Sequence, residues 1–406
     1  MKEKVSSRFG KIIFPSTNQQ IENCWLRLEG DKPYLEVPYD SFDIDNWDII
    51  VGTFNGLDEV TFYKCDLGGG KEGRGGSFKR INFSFMFENK IFKEKSDILF
   101  TKVSLDSKAL DQWVVNKFRL SYFETNQEEN SLSIPKRKVI HKTNTKFVTI
   151  SIIQGFDKSI GSYDADFQRK TLIEITFKQD LHFDEINKYL VRLKRLILFL
   201  THDSPKIVDY SFVQANGSSA RLKERSRFND VSGFSEGIEL NYLDIKPHLE
   251  TIIKNWIEKE KLVQVIELIQ EKYMNTSLSF QNYFLNCCVA LESFHSKLIH
   301  KKSTLRERVT FFEHSIAGIK DDFTTISSKD FISKVVNTRN KIAHEGEYLE
   351  YLTEFELLLY GKVLEFVVKI EILKILGIED KKLLEKFQTD AKNRVRILAE
   401  MNGYFN

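Results

Sequence analysis

Apolar and polar positions change rhythm along this chain. Up to about residue 180 the segments Ile49–Phe54, Val60–Cys65 and Ile81–Phe87 are rich in Val, Ile, Phe, Tyr and Thr, with partial alternation. That is the pattern of half-buried strands. Lys117–Phe123, Phe147–Gln154 and Thr171–Lys178 follow it too. From Asp184 to Thr201 the spacing switches to threes and fours, through Ile186, Leu190, Leu193, Ile197 and Leu200, which predicts a helix. A further strand pair is expected at Ile207–Gln214 and Ile238–Ile245, joined by a polar loop over Asn216–Gly233.

From Pro247 onward the period is helical. His248–Trp256, Leu262–Tyr273, Phe280–Ile299 and Thr304–Ile319 carry apolar residues at 3.6-type spacing. Two long helices are expected near Tyr351–Leu376 and Lys381–Met401, punctuated by Gly346 and Gly377. Thr304 with Glu307 has the form of a capping box, and Ser327 with Asp330 opens the next helix similarly. The pattern predicts an α+β protein in two domains, a β-rich one over 1–245 and an all-α bundle over 246–406, with the change of character near 245–262.

Composition narrows this further. The chain has 406 residues with 60 Lys+Arg against 58 Asp+Glu, so nonspecific coating of nucleic acid by a polycation is excluded while local basic patches are not. Four cysteines, Cys24, Cys65, Cys287 and Cys288, contain no C-x-x-C pair, which argues against a structural zinc site or a secreted disulfide scaffold. No apolar run approaches the roughly 18–20 residues that span a bilayer, and Met1–Gly10 lacks a signal-peptide core. A soluble protein of a reducing, cytoplasmic compartment is expected, without membrane, cofactor or metal. The Gly-rich stretch Asp66–Arg80 is followed by no G-K-[ST] and by a strand rather than a helix, so a mobile hairpin loop is expected there, not a phosphate cradle.

The candidate chemistry lies in Phe331–Gly346. On a helix, Phe331, Val335, Thr338 and Ile342 share one packing stripe, and Arg339 stands ~40° from Val335. A guanidinium and the neighbouring amide of Asn340 at the edge of an apolar face must find partners or line a cleft. His344 stacks four residues beyond Asn340, at the helix C-terminus, where the dipole favours an imidazolium. Arg339 and His344 are ~140° apart on an ideal helix, so they converge only if the last turn loosens near Gly346 or a second subunit completes the site. A chargeable ring near a fixed guanidinium suits phosphate chemistry better than metal ligation.

Arg339–Asn340–Lys341–Ile342–Ala343–His344 resembles the R-x4–6-H motif of HEPN domains, with a polar residue directly after the Arg. Ala290–Leu291–Glu292 is similar to the corresponding upstream helix of the ApeA-type HEPN branch, and Trp25–Leu26 with Val51–Gly56 is similar to the ApeA N-terminal domain. The resemblance implies a metal-independent endoribonuclease of anti-phage abortive infection, acting as a homodimer or higher even oligomer. It implies RNA as the partner, with transfer RNA a candidate, and a phage-derived trigger at the N-terminal domain. His344 would then act as acid or base at a ribose 2′-OH, Arg339 would stabilise charge on the phosphate, and Asn340 would orient His344 or the phosphate. Glu292 has two readings, a partner of Arg339 or His344 in the site or a salt bridge to Arg306 or Arg308.

Other combinations read as structural. Arg195 and His202 also fit R-x6-H, but Leu196 follows the Arg within a packing segment. Cys288 and His295 read as a core-edge thiol and a solvated ring. The basic tip Arg221–Arg227 and the run Lys136–Arg137–Lys138 suit either an RNA backbone or solvent. Two alternatives to catalysis stand beside it: a non-catalytic HEPN-like module that binds RNA or protein and dimerises, and a motif that only stabilises a helix end.

Overall fold

The computed structural model describes residues 7–28, 33–38, 46–73, 76–114, 137–160, 165–201, 207–224, 240–275, 277–299, 302–320, 327–345 and 352–401. The strands are β1 (Ser7–Phe14), β2 (Gln19–Arg27), β3 (Tyr34–Pro38), β4 (Asn46–Phe54), β5 (Leu57–Gly73), β6 (Gly76–Glu88) and β7 (Leu99–Ser107). After the short helix α1 (Lys108–Trp113) come β8 (Lys138–Asn144), β9 (Val148–Ile160) and β10 (Ala165–His182). Helix α2 (Phe183–Thr201) is followed by β11 (Ile207–Val213) and β12 (Ser219–Glu224). The rest is helical: α3 (Tyr242–Ile245), α4 (Leu249–Glu258), α5 (Lys261–Met274), α6 (Phe280–Phe294), α7 (Leu305–Phe311), α8 (Glu313–Lys320), α9 (Ser328–Glu345), α10 (Glu354–Ile375) and α11 (Lys381–Met401). The protein is α+β.

Two compact units emerge, and they do not follow a single cut in the chain. One comprises residues 1–108, 118–188 and 206–229, and the other 109–117, 189–205 and 230–406.

In the first unit the strands run β3-β2-β1-β4-β5-β6-β12-β11-β7-β10-β9-β8, with β3 also paired to β6. Every pairing is antiparallel. The β3–β6 ladder, with Leu35 opposite Ile81, closes the first six strands into a barrel. Alternate side chains fill it, among them Ile12, Phe14, Leu26, Val37, Trp47 and Phe62. Beyond Asn82, β6 leaves β3 and pairs with β12 instead, Phe87 opposite Leu222. There Phe85, Phe87, Phe92, Phe100, Phe183 and Phe212 form a chain of ring contacts with centroids 4.7–6.1 Å apart.

Two expectations change in this unit. The Gly-rich stretch is not a long loop: β5 and β6 continue through it to a Gly73–Gly76 pair, so it forms the arms of a hairpin. A third of the expected loop Asn216–Gly233 is strand β12, whose Ala220 and Leu222 are buried while Arg221 and Lys223 point outward. Lys223 pairs with Glu88 at 2.6 Å. Two buried apolar residues gave too weak an alternation to register as a strand. Arg225, Arg227, Lys117–Phe123 and Lys136 lie outside the described residues.

In the second unit the helices form one core. Helix α10 is buried on all sides, as a central helix must be. It approaches α6 closely because position 361 is glycine: a Cβ there would sit 2.7 Å from the Tyr283 ring. Its C-terminus closes as a Schellman motif, with Gly377 at φ +100°, Gly377 N–H donating to Lys374 O (3.0 Å) and Ile378 N–H to Leu373 O (3.1 Å). Inside, Glu365 accepts from Tyr273 Oη (2.5 Å) and from Tyr283 Oη, and pairs with Lys362 at 3.2 Å. Burial opposes ionisation of Glu365, but Lys362 and the two hydroxyls outweigh it and hold the carboxyl below its ordinary range. Burial pushes the Lys369 ammonium one turn further along well below its usual range.

Here the expected strand Ile238–Ile245 is corrected. Its described part contains the helical turn α3, because Asn241 caps it by accepting from Leu243 N–H (2.9 Å), and Tyr242 and Ile245 bury at a spacing of three. The helix expected over Thr304–Ile319 breaks at Phe312 into α7 and α8. That over Phe280–Ile299 ends as a π-helical turn, His295–Ile299. His295 is not solvated: it is 2% exposed and edge-on to Phe311 at 5.1 Å. All four cysteines are free and buried. Among the described residues no helix is long and apolar enough to cross a membrane.

Candidate active site

Helix α9 carries the motif, and its own sequence aims it. Ser327 accepts from Asp330 N–H (3.1 Å) at the start. Phe331 stacks on Tyr360 of α10, centroids 4.3 Å apart. Phe331, Val335, Thr338 and Ile342 are all buried, as the stripe predicts. That rotation leaves Arg339 at the margin of the buried face and Asn340 and His344 exposed.

Glu292 meets Arg339 from α6, one residue beyond the buried Leu291. Arg339 donates from Nε to Glu292 Oε1 at 3.1 Å, and its Nη2 lies 3.1 Å from the same oxygen. The other oxygen, Oε2, faces Arg308 Nη1 of α7 at 3.7 Å, an ion pair rather than a hydrogen bond. Arg308 Nε donates to Ser303 Oγ (3.4 Å), just before the Thr304–Glu307 capping box that fixes the start of α7. The neighbouring Arg306 donates from Nη1 to Ser333 Oγ of α9 (3.1 Å). The two readings of Glu292 are therefore both realised: one carboxylate serves the motif arginine and Arg308 together. Sequence reasoning treated these as exclusive and left Arg308 out of the site. Its signal was the arginine doublet Arg306/Arg308 directly after a helix cap.

The remaining motif residues are less engaged. Arg339 Nη1 donates to Asn340 Oδ1 at 3.5 Å, a long contact. His344 makes no hydrogen bond or ion pair with a described residue. Helix α9 stays helical through Glu345, so the described turn does not loosen to bring His344 round to Arg339. Gly346 lies outside the described residues. Cys288, one turn before Glu292, is held as a neutral thiol: burial pushes it up, Cys287 and Glu292 push the same way, and Arg339 opposes them. Arg195 of the decoy pair is 1% exposed and pairs with Glu267 at 2.6 Å. His202 lies outside the described residues. No three His, Cys, Asp or Glu side chains among the described residues are grouped to hold a metal ion.

Two family models match the chain. Residues 7–256 match the model of the ApeA N-terminal domain 1, and residues 249–382 match that of the ApeA-like HEPN domain. The chain belongs to the ApeA family. In this ApeA-like protein the HEPN match contains Glu292, Arg308, Arg339, Asn340 and His344, and the helices α4 to α10. The ApeA N-terminal match contains every strand. Both matches associate the chain with anti-phage HEPN proteins. No curated protein and no solved structure matches it.

Proposed function

We propose that this ApeA-like protein is a metal-independent endoribonuclease of anti-phage abortive infection. The observation that carries the proposal is the motif arginine held at an open edge by a carboxylate that engages it through a single oxygen, five residues before an exposed histidine on the same helix. His344 takes the proton of a ribose 2′-OH. The 2′-oxygen attacks the adjacent phosphorus, the P–O5′ bond breaks, and the O5′ leaving group takes up a proton. The products are a 2′,3′-cyclic phosphate and a 5′-hydroxyl. Arg339 matches the phosphate oxygens with its planar fork and stabilises the charge that grows on them. Asn340 orients the phosphate beside it.

Because Arg339 and His344 stand ~140° apart on a regular helix, each needs a partner from elsewhere. A symmetric homodimer, or a higher even oligomer, supplies it by facing two α9 helices across one cleft. Transfer RNA is a candidate substrate. A nuclease harmful to its host must be restrained, and the β-rich domain is suited to sensing a phage-derived trigger.

The test is an end-group assay on RNA treated with the full chain. New cyclic-phosphate ends in the presence of chelator, lost in both His344→Ala and Arg339→Ala with melting and dimerisation unchanged, are the expected result. Wild-type cleavage by either variant overturns the assignment, and strict dependence on a divalent ion points to another mechanism. A second reading has an observation in its favour: His344 has no contact with the Arg339–Glu292 pair. On that reading the bundle binds RNA or protein without cutting, and bound RNA would acquire no new ends.

A further inference from the structure

One carboxylate and two guanidiniums meet at Glu292, so the cluster carries a net charge of +1. All three side chains are partly exposed, at 26% for Arg339, 17% for Glu292 and 23% for Arg308. Arg308 spends Nε on Ser303 and turns Nη1 to Glu292, while its Nη2 has no partner among the described residues. The contact with Glu292, at 3.7 Å, is loose. Arg339 is held more tightly, with two nitrogens on Oε1. Both guanidiniums are held on one carboxylate, which keeps them close enough together to reach two neighbouring acceptors on one polyanion.

We propose that Arg308 forms a second phosphate subsite, gripping the phosphodiester next to the one on which Arg339 acts, with Glu292 as their common brace. The inference rests on the ribonuclease reading above. Single-stranded RNA is the ligand class, because its phosphates recur along one flexible strand and can follow two guanidiniums on adjacent helices. Arg308 is a positioning residue: it holds the strand and touches no reacting atom.

The experiment uses the full-length chain and a single-stranded 2′-O-methyl RNA of mixed sequence, which cannot be cut because its 2′-oxygens are blocked. Binding is measured across a salt series for the wild type, Arg308→Gln, Arg308→Lys and Glu292→Gln/Arg308→Gln, with melting curves as the folding control. Losing one phosphate contact flattens the log–log salt slope by about 0.7 for a single strand. Arg308→Gln should show that change with affinity lower on the order of tenfold. Arg308→Lys, which keeps the charge but not the fork, should recover most of the slope. The double variant should stay weak; if it regains wild-type binding, Arg308 acts only by tempering Glu292 and the subsite is overturned. On unmodified RNA, Arg308→Gln should raise KM with little loss of kcat. Wild-type binding and slope in Arg308→Gln sink the subsite alone, leaving the nuclease reading intact. A wild-type protein that neither binds nor cuts RNA sinks both.

Discussion

The helical unit contains two clusters built from the same parts, a glutamate and its cations, and they do opposite things. Glu365 and Lys362 are each 2% exposed, and two tyrosine hydroxyls complete the carboxylate's contacts. Glu292 shares its two oxygens between Arg339 and Arg308, with all three partly open to solvent. In the first cluster the charges are satisfied internally and fix how α5, α6 and α10 pack. In the second, water or a ligand can replace the carboxylate at modest cost. Burial, more than residue type, separates an ion pair that belongs to the core from one that can be exchanged for substrate.

Substitutions can break this comparison. The largest effect should come from Lys362→Met, which leaves the Glu365 carboxylate buried without its cation and should cost about 3–5 kcal/mol in denaturant unfolding. A loss below about 1 kcal/mol would show the buried pair to be dispensable. Next, Arg339→Ala should lower RNA cleavage by about 10²–10³-fold, while unfolding shifts by no more than about 1 kcal/mol. A large loss of stability there would make the exposed cluster structural after all. Smaller again, Glu292→Gln should weaken RNA binding slightly and lower kcat several-fold, because the brace that positions both guanidiniums has lost its charge. Unchanged binding and turnover would remove Glu292 from the site.

The smallest effect should be in pH. The Glu365 carboxyl is held below its ordinary range in the folded chain, so the unfolded chain binds more protons as acid is added. Its contribution to stability is full above the ordinary glutamate pKa of about 4.3 and is lost as pH falls through the lower folded value. Glu365→Gln should flatten the acid limb of the unfolding curve. An acid limb identical to the wild type would mean the charge of Glu365 contributes nothing there.

Much of this was legible in the residues, where a local rule decides the outcome. The stripe Phe331–Val335–Thr338–Ile342 is buried as spaced, the Thr304–Glu307 box closes, and Lys381–Met401 is helical over that same span. What failed depends on distant partners. Tyr242 alternates with Leu240 like a strand, yet a cap at Asn241 turns it into a helix. β12 exists because β6 and β11 flank it, not because of its own weak pattern. His295 looks polar and surface-bound until Phe311 and Phe312 cover it. In the site, the angle between Arg339 and His344 followed from helix geometry alone. The sharing of Glu292 did not, since Arg308 and Arg339 lie 16 and 47 residues further along the chain and meet it only once α6, α7 and α9 are packed.

Strand β6 has one further consequence. Along one edge its first half is joined to β3 and its second half to β12, so the barrel and the open sheet share a single backbone. Pulling β6 free would unzip both at once. That part of the molecule should therefore melt as one cooperative body, and strain applied at the Gly73–Gly76 hairpin would be felt at the phenylalanine cluster near the strand's far end.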